Sequence, residues 1–426
     1  MSQQFIINGG KKISGEIKVN GAKNFILKAL SAALLTKEKC TIRGVPEIAD
    51  VLIMKDIIQK IGCKVKVKKD QIGEAYEIEA KKIDQSKLNK EDAKKLRASI
   101  VFSGSILPRT GEFNIPHPGG DLIGKRPINF FLEGYKKMGA KITVSQEGFY
   151  NIKTRGRLKA AKIFFPKISV TGTETLAMAA SLAQGITILE NVAIEPEVIH
   201  LLTCLKKMGA KISGLGTSTL TIEGVEELKG AEFEFLPDRL EAGTFVMMGV
   251  MNNASLTVRN CIPSHLTALL ERLNRAGANL KIGKDWISTQ PYKKRLKALD
   301  IQTHEYPGFA TDLQPIYTLL MTQAEGSCMI HESIFESRLF FTDTLNRMGA
   351  DIIMCDPHRV VIKGPTRLHP RVIESPDIRA GITLVLASIM ASGQSTIENI
   401  QVIDRGYEKI EKRLRKIGVD IKRVKA

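Results

Sequence analysis

Apolar and polar positions along this chain repeat in a fixed order. A stretch of apolar and small residues at helical spacing leads into a short alternating stretch, then a second helical stretch, a glycine and a hairpin. The ending is the clearest part. It reads Ile61-Gly62-Cys63-Lys64-Val65, Met138-Gly139-Ala140-Lys141-Ile142 and Met208-Gly209-Ala210-Lys211-Ile212. It returns as Ala276-Gly277-Ala278-Asn279-Leu280, Met348-Gly349-Ala350-Asp351-Ile352 and Ile417-Gly418-Val419-Asp420-Ile421. Successive glycines are 77, 70, 68, 72 and 69 residues apart. A steady period through six copies is an internal repeat, and a glycine suits the left-handed position that closes a helix. Each repeat is predicted to run helix, strand, helix, hairpin, as in residues 176–184 followed by 186–189, or 242–251 followed by 256–259.

The sixth repeat lacks its last strand, because the chain stops soon after residues 419–422. A matching pair of segments, 5–9 and 13–17, stands at the other end and resembles 360–364 and 220–224 with their sequels. The N-terminal hairpin is therefore expected to complete the sixth repeat. Three repeats and three repeats make an α/β protein of two similar domains. The first covers residues 21–236; the second covers 1–20 plus 237–426, with crossings near Asn20-Gly21 and Leu236-Pro237. Within the second repeat, residues 99–107 read as an apolar helical stretch, 108–111 as a turn, 112–115 as a strand and 128–138 as a helix. The loop between, about 116–127, holds Pro118-Gly119-Gly120-Asp121-Leu122-Ile123-Gly124-Lys125-Arg126-Pro127, one carboxylate among glycines and prolines with two cations behind it.

Composition narrows the class. At 426 residues and 43% apolar content, two domains with ample cores are expected. No apolar run approaches the roughly 20 residues of a membrane span, and the N-terminus lacks a signal-peptide pattern. A cytoplasmic protein without membrane insertion is the expectation. The six cysteines form no CxxC pair and sit mostly in apolar elements, which predicts buried thiols and no metal site. A net charge of +18 raises nucleic-acid binding. The lysines, however, spread over every repeat, and aromatics are only 6%. No nucleic acid is expected; an anionic small molecule suits the charge better.

Charges at the helix starts point the same way. The first helix of each repeat opens with Gly21-Ala22-Lys23-Asn24, Arg97-Ala98-Ser99, Ser169-Val170-Thr171, Pro237-Asp238-Arg239, Ala310-Thr311-Asp312 or Pro376-Asp377-Ile378-Arg379. A helix N-terminus favours anions and acidic caps. Lys23, Arg97, Arg239 and Arg379 are poor caps and therefore candidate anion ligands. Asp238, Asp312 and Asp377 are ambiguous, since an aspartate there is the ordinary cap.

These segments carry a resemblance. Asn20-Gly21-Ala22-Lys23-Asn24, Arg97-Ala98-Ser99-Ile100, the 118–127 loop, Glu190-Asn191 through Glu195-Pro196-Glu197, Leu236-Pro237-Asp238-Arg239, Thr311-Asp312-Leu313-Gln314 and Asp404-Arg405-Gly406-Tyr407-Glu408 together resemble the UDP-N-acetylglucosamine 1-carboxyvinyltransferase family, over essentially the whole chain. The resemblance implies two inside-out α/β domains of three repeats each, with the active site in the cleft between them. It implies transfer of the enolpyruvyl group of phosphoenolpyruvate to the 3-hydroxyl of UDP-N-acetylglucosamine, a step opening peptidoglycan precursor synthesis. No cofactor is implied, and a monomer is expected. By resemblance Lys23, Arg126 and Arg405 hold phosphoenolpyruvate. Arg97, Arg126, Pro127, Ile128, Asn129, Phe130, Lys167, Ser169, Val170 and Ile334 line the nucleotide-sugar site, and Asn24 orients substrate. Asp312 takes the sugar hydroxyl proton, and Asp377 and Arg379 sit near the hinge and sense closure. The family's loop usually carries a cysteine as general acid; here Asp121 stands in that place, which implies resistance to fosfomycin, an epoxide that alkylates the cysteine. Asn129, Phe130 and Phe131 also depart from the Asp, Leu and His often found there. Two other readings compete: the related shikimate-pathway enolpyruvyl transferase, whose first helix opens with Asp-Lys-Ser rather than Ala22-Lys23-Asn24, and a basic RNA-binding scaffold of the same fold.

Overall fold

The computed structural model describes residues 3–119, 123–124 and 127–425. Among them the chain separates into two compact domains. One comprises residues 21–119 and 127–236; the other comprises residues 3–20 and 237–425 with Ile123 and Gly124. The loop residues Asp121, Lys125 and Arg126 lie outside the described residues.

Each domain is built on helices buried on every side. Leu240 through Met251 of the Arg239–Met251 helix are all buried, as are Ile378 through Ile389 of Ile378–Met390 and Gly172 through Ala180 of Val170–Ala180. Such helices are apolar all round and belong in a core rather than at a surface. Close approach sets the small residues: a Cβ on Gly104 would stand 2.5 Å from the Thr175 carbonyl oxygen, so the Ser103–Thr110 helix can meet Val170–Ala180 only through glycine.

Sheets flank these helices, one per repeat. In the first domain the orders are Glu232–Phe233, Lys39–Val45, Glu74–Glu79, Lys64–Lys69; then Glu112–Pro116, Phe149–Lys153, Lys141–Val144; then Lys162–Phe164, Ile186–Glu190, Thr219–Glu223, Lys211–Ser213. The second domain repeats the plan. In its last sheet the Gln3–Gly9 strand lies between Gly393–Glu398 and Asp420–Lys425, antiparallel to both, with Ile7 opposite Ser395 on one side and Ile421 on the other. Gly15–Lys18 then runs parallel to Leu256–Arg259. The six repeat glycines all take left-handed φ, from 87° at Gly139 to 106° at Gly349, a region that costs glycine nothing.

Three details differ from the sequence expectation. The segment 13–17, expected to pair with 5–9 in a hairpin that completes the sixth repeat, instead leaves Gln3–Gly9 and joins the fourth repeat's sheet as Gly15–Lys18, where Ile17 is buried and the Gly15 and Val19 amides donate to the Ser255 and Arg259 carbonyls. The predicted turn at residues 108–111 is the last turn of the Ser103–Thr110 helix, with Pro108 inside it and only Gly111 left-handed at φ 75°. Thr110 supports that turn by donating from its hydroxyl to the Ile106 carbonyl at 2.9 Å. Four other sheets also gain a short parallel edge strand of two or three residues that the repeat did not reveal, such as Glu232–Phe233 or Ile301–Gln302.

Candidate active site

Charged side chains collect beside the helix starts in both domains. In the first, Lys23 opens the Lys23–Ala32 helix with no side-chain cap before it. It is buried, and its Nζ lies 2.7 Å from Oδ2 of Asp50, itself 1% exposed in the first turn of Ala49–Lys60. An ammonium in such a place is tolerated because a carboxylate accompanies it. Arg97 begins the 3-10 stretch Arg97–Phe102 and donates from Nη1 to the Pro118 carbonyl at 3.1 Å, which ties it to the start of the glycine-rich loop. Ser169 caps Val170–Ala180 by accepting from the Gly172 amide at 3.0 Å. Asn24 and Val170 are half-buried and Lys167 exposed. Pro127 is exposed and Ile128 buried, and Asn129 and Phe130 begin the Asn129–Lys137 helix. Farther along these helices, Lys28 and the fully buried Glu174 form an ion pair at 3.2 Å. Burial pushes the Glu174 carboxyl up to about 7, with Lys28 pulling against it.

In the second domain the cluster centres on Asp312, in the 3-10 turn Thr311–Leu313. Its Oδ1 accepts from Nη2 of Arg338 at 3.0 Å and its Oδ2 from Nη2 of Arg379 at 3.3 Å. Burial alone would raise this carboxyl; Arg379 and then Arg338 outweigh it and hold Asp312 well below the usual carboxylate range. Arg379 in turn donates from Nη1 to the Tyr407 hydroxyl at 3.2 Å, and that hydroxyl meets the Thr244 hydroxyl at 3.1 Å. Asp377 caps the Ile378–Met390 helix, accepting from the Arg379 and Ala380 amides, and Asp238 does the same for Arg239–Met251. The ambiguous aspartates thus divide: Asp238 and Asp377 are caps, while Asp312 spends its carboxylate on two arginines. Arg239 stands over the Tyr306 ring at 5.4 Å. Arg405 and Ile334 are half-buried, each in an irregular segment.

Sequence reasoning missed Arg338, as it missed Asp50. Arg338 is 4% exposed, and its Nε and Nη1 have no hydrogen-bond partner among the described residues. It lies outside any helix start, so a search of helix starts passes over it. No three His, Cys, Asp or Glu side chains group for a metal among the described residues, and no described helix is long and apolar enough to cross a membrane.

Residues 7–414 match the family model of EPSP synthase (3-phosphoshikimate 1-carboxyvinyltransferase). A UDP-N-acetylglucosamine 1-carboxyvinyltransferase of Koribacter versatilis (strain Ellin345) is 42% identical over 421 residues, which cover 99% of this chain and 96% of that protein. One of Solibacter usitatus (strain Ellin6076) is also 42% identical, over 99% of both chains, and one of Coxiella burnetii (strain Dugway 5J108-111) is 40% identical, over 99% of this chain and 96% of the other. The chain belongs to the UDP-N-acetylglucosamine 1-carboxyvinyltransferase family. Its backbone follows the enolpyruvyl transferase fold: the enolpyruvyl transferase NikO from Streptomyces tendae superposes with a TM-score of 0.90 at 23% identity, covering 100% of this chain and 99% of that one. An EPSP synthase from Acinetobacter baumannii superposes at 0.75 with 19% identity over the whole of both chains. Against this carboxyvinyltransferase family, the candidate residues sort by domain. Lys23, Asn24, Arg97, Pro127, Ile128, Asn129, Phe130, Lys167, Ser169 and Val170 lie in the first. Asp312, Ile334, Asp377, Arg379 and Arg405 lie in the second, where Asp312 and Arg379 meet directly.

Proposed function

We propose that the protein transfers the enolpyruvyl group of phosphoenolpyruvate to the 3-hydroxyl of UDP-N-acetylglucosamine and releases phosphate, with residues of both domains taking part. The observation that carries this reading is the 40–42% identity to named UDP-N-acetylglucosamine 1-carboxyvinyltransferases over 99% of the chain. The same observation favours it over the 3-phosphoshikimate reaction, which the broader family model also describes. Lysines and arginines set against helix starts support anionic substrates. The two unpartnered donors of Arg338 support a bound anion near Asp312.

The reaction is an addition followed by an elimination. A proton goes to the methylene carbon of phosphoenolpyruvate, the adjacent carbon gains oxocarbenium character, and the sugar 3-hydroxyl adds to it. Loss of a proton from the new methyl group and departure of phosphate restore the double bond. Asp121 supplies the first proton in this proposal. Lys23, Arg126 and Arg405 hold phosphoenolpyruvate; Arg97, Arg126, Pro127, Ile128, Asn129, Phe130, Lys167, Ser169, Val170 and Ile334 hold the nucleotide sugar, oriented by Asn24.

Asp312 receives the hydroxyl proton. Held ionised by two arginines, it is a weak base, and a weak base is sufficient here. The hydroxyl becomes strongly acidic as its oxygen bonds to the electron-poor carbon, so proton transfer can accompany attack rather than precede it. Asp377 and Arg379 take part in closure of the domains on substrate. The assay is phosphate release from phosphoenolpyruvate with UDP-N-acetylglucosamine, with 3-phosphoshikimate and with neither. Release should require UDP-N-acetylglucosamine. Release with 3-phosphoshikimate alone would overturn the choice of acceptor, and release with neither acceptor at the same rate would overturn the transfer.

A further inference from the structure

Glu332 has no place in the chemistry above, yet it holds the segments that carry it. It is fully buried at the end of the Gly326–His331 strand, and its carboxylate accepts four hydrogen bonds from neutral donors. Oε1 takes the Thr303 hydroxyl at 3.0 Å, the Ile334 amide at 2.9 Å and the Phe335 amide at 3.1 Å. Oε2 takes the Thr311 hydroxyl at 2.8 Å. Its backbone is fixed as well, since the Glu332 amide donates to the His358 carbonyl at 2.7 Å and the His358 ring Nδ1 lies 2.6 Å from the Glu332 carbonyl oxygen.

A buried carboxylate costs several kcal/mol unless its lone pairs are filled. A structure that keeps one among hydroxyl and amide donors uses it to hold those donors in place. What these donors have in common is their address. Thr311 adjoins Asp312 in the Thr311–Leu313 turn. Ile334 and Phe335 begin the segment that ends at Arg338, and the Phe335 ring lies 5.2 Å from the Arg338 guanidinium carbon. One carboxylate therefore fixes the backbone beside Asp312 and the support of the arginine that Asp312 accepts from.

We propose that Glu332 is a positioning residue for the transfer: through Thr311 and the 334–338 segment it sets the distance and angle at which Asp312 meets Arg338 and the sugar hydroxyl. The proposal rests on the reading of Asp312 as the acceptor of that hydroxyl's proton. A misplacement of about 1 Å at a reacting group can cost on the order of 10²-fold in rate, so loosening the turn should appear in kcat before it appears in substrate affinity.

The test is steady-state phosphate release by Glu332→Gln, Thr311→Val and Thr311→Ser, each alone and, for Glu332→Gln, combined with Asp312→Asn. Glu332→Gln keeps the shape and can still accept from the amides, while Thr311→Val removes only the hydroxyl. Both should lower kcat by about tenfold or more with KM for phosphoenolpyruvate within about twofold. Thr311→Ser, which restores the hydroxyl, should recover most of kcat, a rescue that a packing role for the threonine would not give. In the Asp312→Asn background, Glu332→Gln should cost less than about threefold more, because the group it positions is already gone. Wild-type kcat in both Glu332→Gln and Thr311→Val, with Asp312→Asn impaired, overturns the positioning role and leaves the reading of Asp312 standing. Wild-type kcat in Asp312→Asn overturns that reading, and the proposal with it. If Glu332→Gln does not fold, the threonine pair decides: equal kcat in Thr311→Val and Thr311→Ser overturns the proposal.

Discussion

Each domain sets a carboxylate against cations, one in the core and one half-buried, and the two end in opposite states. Glu174 in the first domain has one cation, Lys28 at 3.2 Å, and two further carboxylates, Glu197 and Glu195, whose charge works against its own. Burial prevails, and the group is poised near neutrality. Asp312 in the second domain has two arginines at 3.0 and 3.3 Å, and its side chain keeps 25% exposure. There the cations prevail and the charge is fixed. Burial raises both groups; the number of cations and of like charges nearby decides the outcome. A carboxylate that must enter the reaction ionised, ready to accept a proton, needs the second arrangement, and one that must enter it carrying a proton needs something nearer the first.

The largest effect should come from removing the frame of one member of the pair. Deleting residues 1–18 takes out the Gln3–Gly9 strand from between its two neighbours and strips Gly15–Lys18 from Leu256–Arg259. The second domain should fail to fold and activity should vanish, while the first, which contains none of these residues, keeps its own melting transition in calorimetry. An unchanged melting profile would show that the second domain does not depend on the N-terminal strand. Next in size is the charge itself. Asp312→Asn keeps a hydrogen-bond acceptor but removes the base and leaves Arg338 and Arg379 facing an amide. Phosphate release should fall by roughly 10²–10⁴-fold. Turnover near wild type would mean that the second domain's carboxylate is structural, like Glu174.

The fold was legible because its repeat is carried by backbone requirements. Gly62, Gly139, Gly209, Gly277, Gly349 and Gly418 end helices in a left-handed conformation that other residues adopt only at a cost, so the period survives in the sequence while side chains drift. The edge strands were not legible: Glu232–Phe233 and Ile301–Gln302 are too short for any alternation to register. Half of the Asp312 cluster could be read from charges at helix starts, which drew attention to Asp312, Asp377 and Arg379. Arg338 and Glu332 escaped because they sit in an irregular segment after a strand, where position along the chain carries no periodic signal. Asp50, the partner of Lys23, escaped for another reason, since an acid in the first turn of a helix needs no special explanation.

A third carboxylate sharpens the contrast. Asp121, outside the described residues, must carry a proton to act as the acid, a role that near neutral pH calls for a raised pKa. Asp121→Asn should lower turnover by about 10²-fold, and activity close to wild type would remove it from the mechanism. Fosfomycin should leave the wild type active, because a carboxylate lacks the nucleophilicity of a thiolate. Asp121→Cys should retain turnover and gain time-dependent covalent inhibition, visible as added mass on the intact protein. Of the six native cysteines, five are buried and Cys355 is exposed, so a mass increase on the wild type would have to be mapped to Cys355 before it counted against Asp121.

The smallest expected effect is on stability, and it tests the Glu174 side of the comparison directly. Its carboxyl is raised from 4.5 to about 7 in the folded protein. A group raised on folding stabilises fully below its unfolded value, and that contribution is lost as pH rises through the folded value. The first domain should therefore lose stability between about pH 4.5 and 7, by up to about 3 kcal/mol if the whole shift is expressed. His200 in the same domain works in the opposite direction over part of this window. Its burial lowers its pKa, so the domain gains stability as pH rises toward 6.5. Groups held low by hydrogen bonds and then by cations, such as Glu112 by Asn114 and Lys153 and Asp70 by the Ile72 amide and Arg43, titrate below the window and leave its upper half undisturbed. The difference between wild type and a variant isolates Glu174 from both. Glu174→Gln alone would strand Lys28 in the core, so the double variant Glu174→Gln, Lys28→Met is the cleaner comparison. Urea unfolding of the first domain at half-unit pH steps should show the wild type losing ground to the double variant as pH rises from 4.5 to 7. Parallel curves across that range would mean that Lys28 holds Glu174 ionised, and that the two domains treat these carboxylates alike.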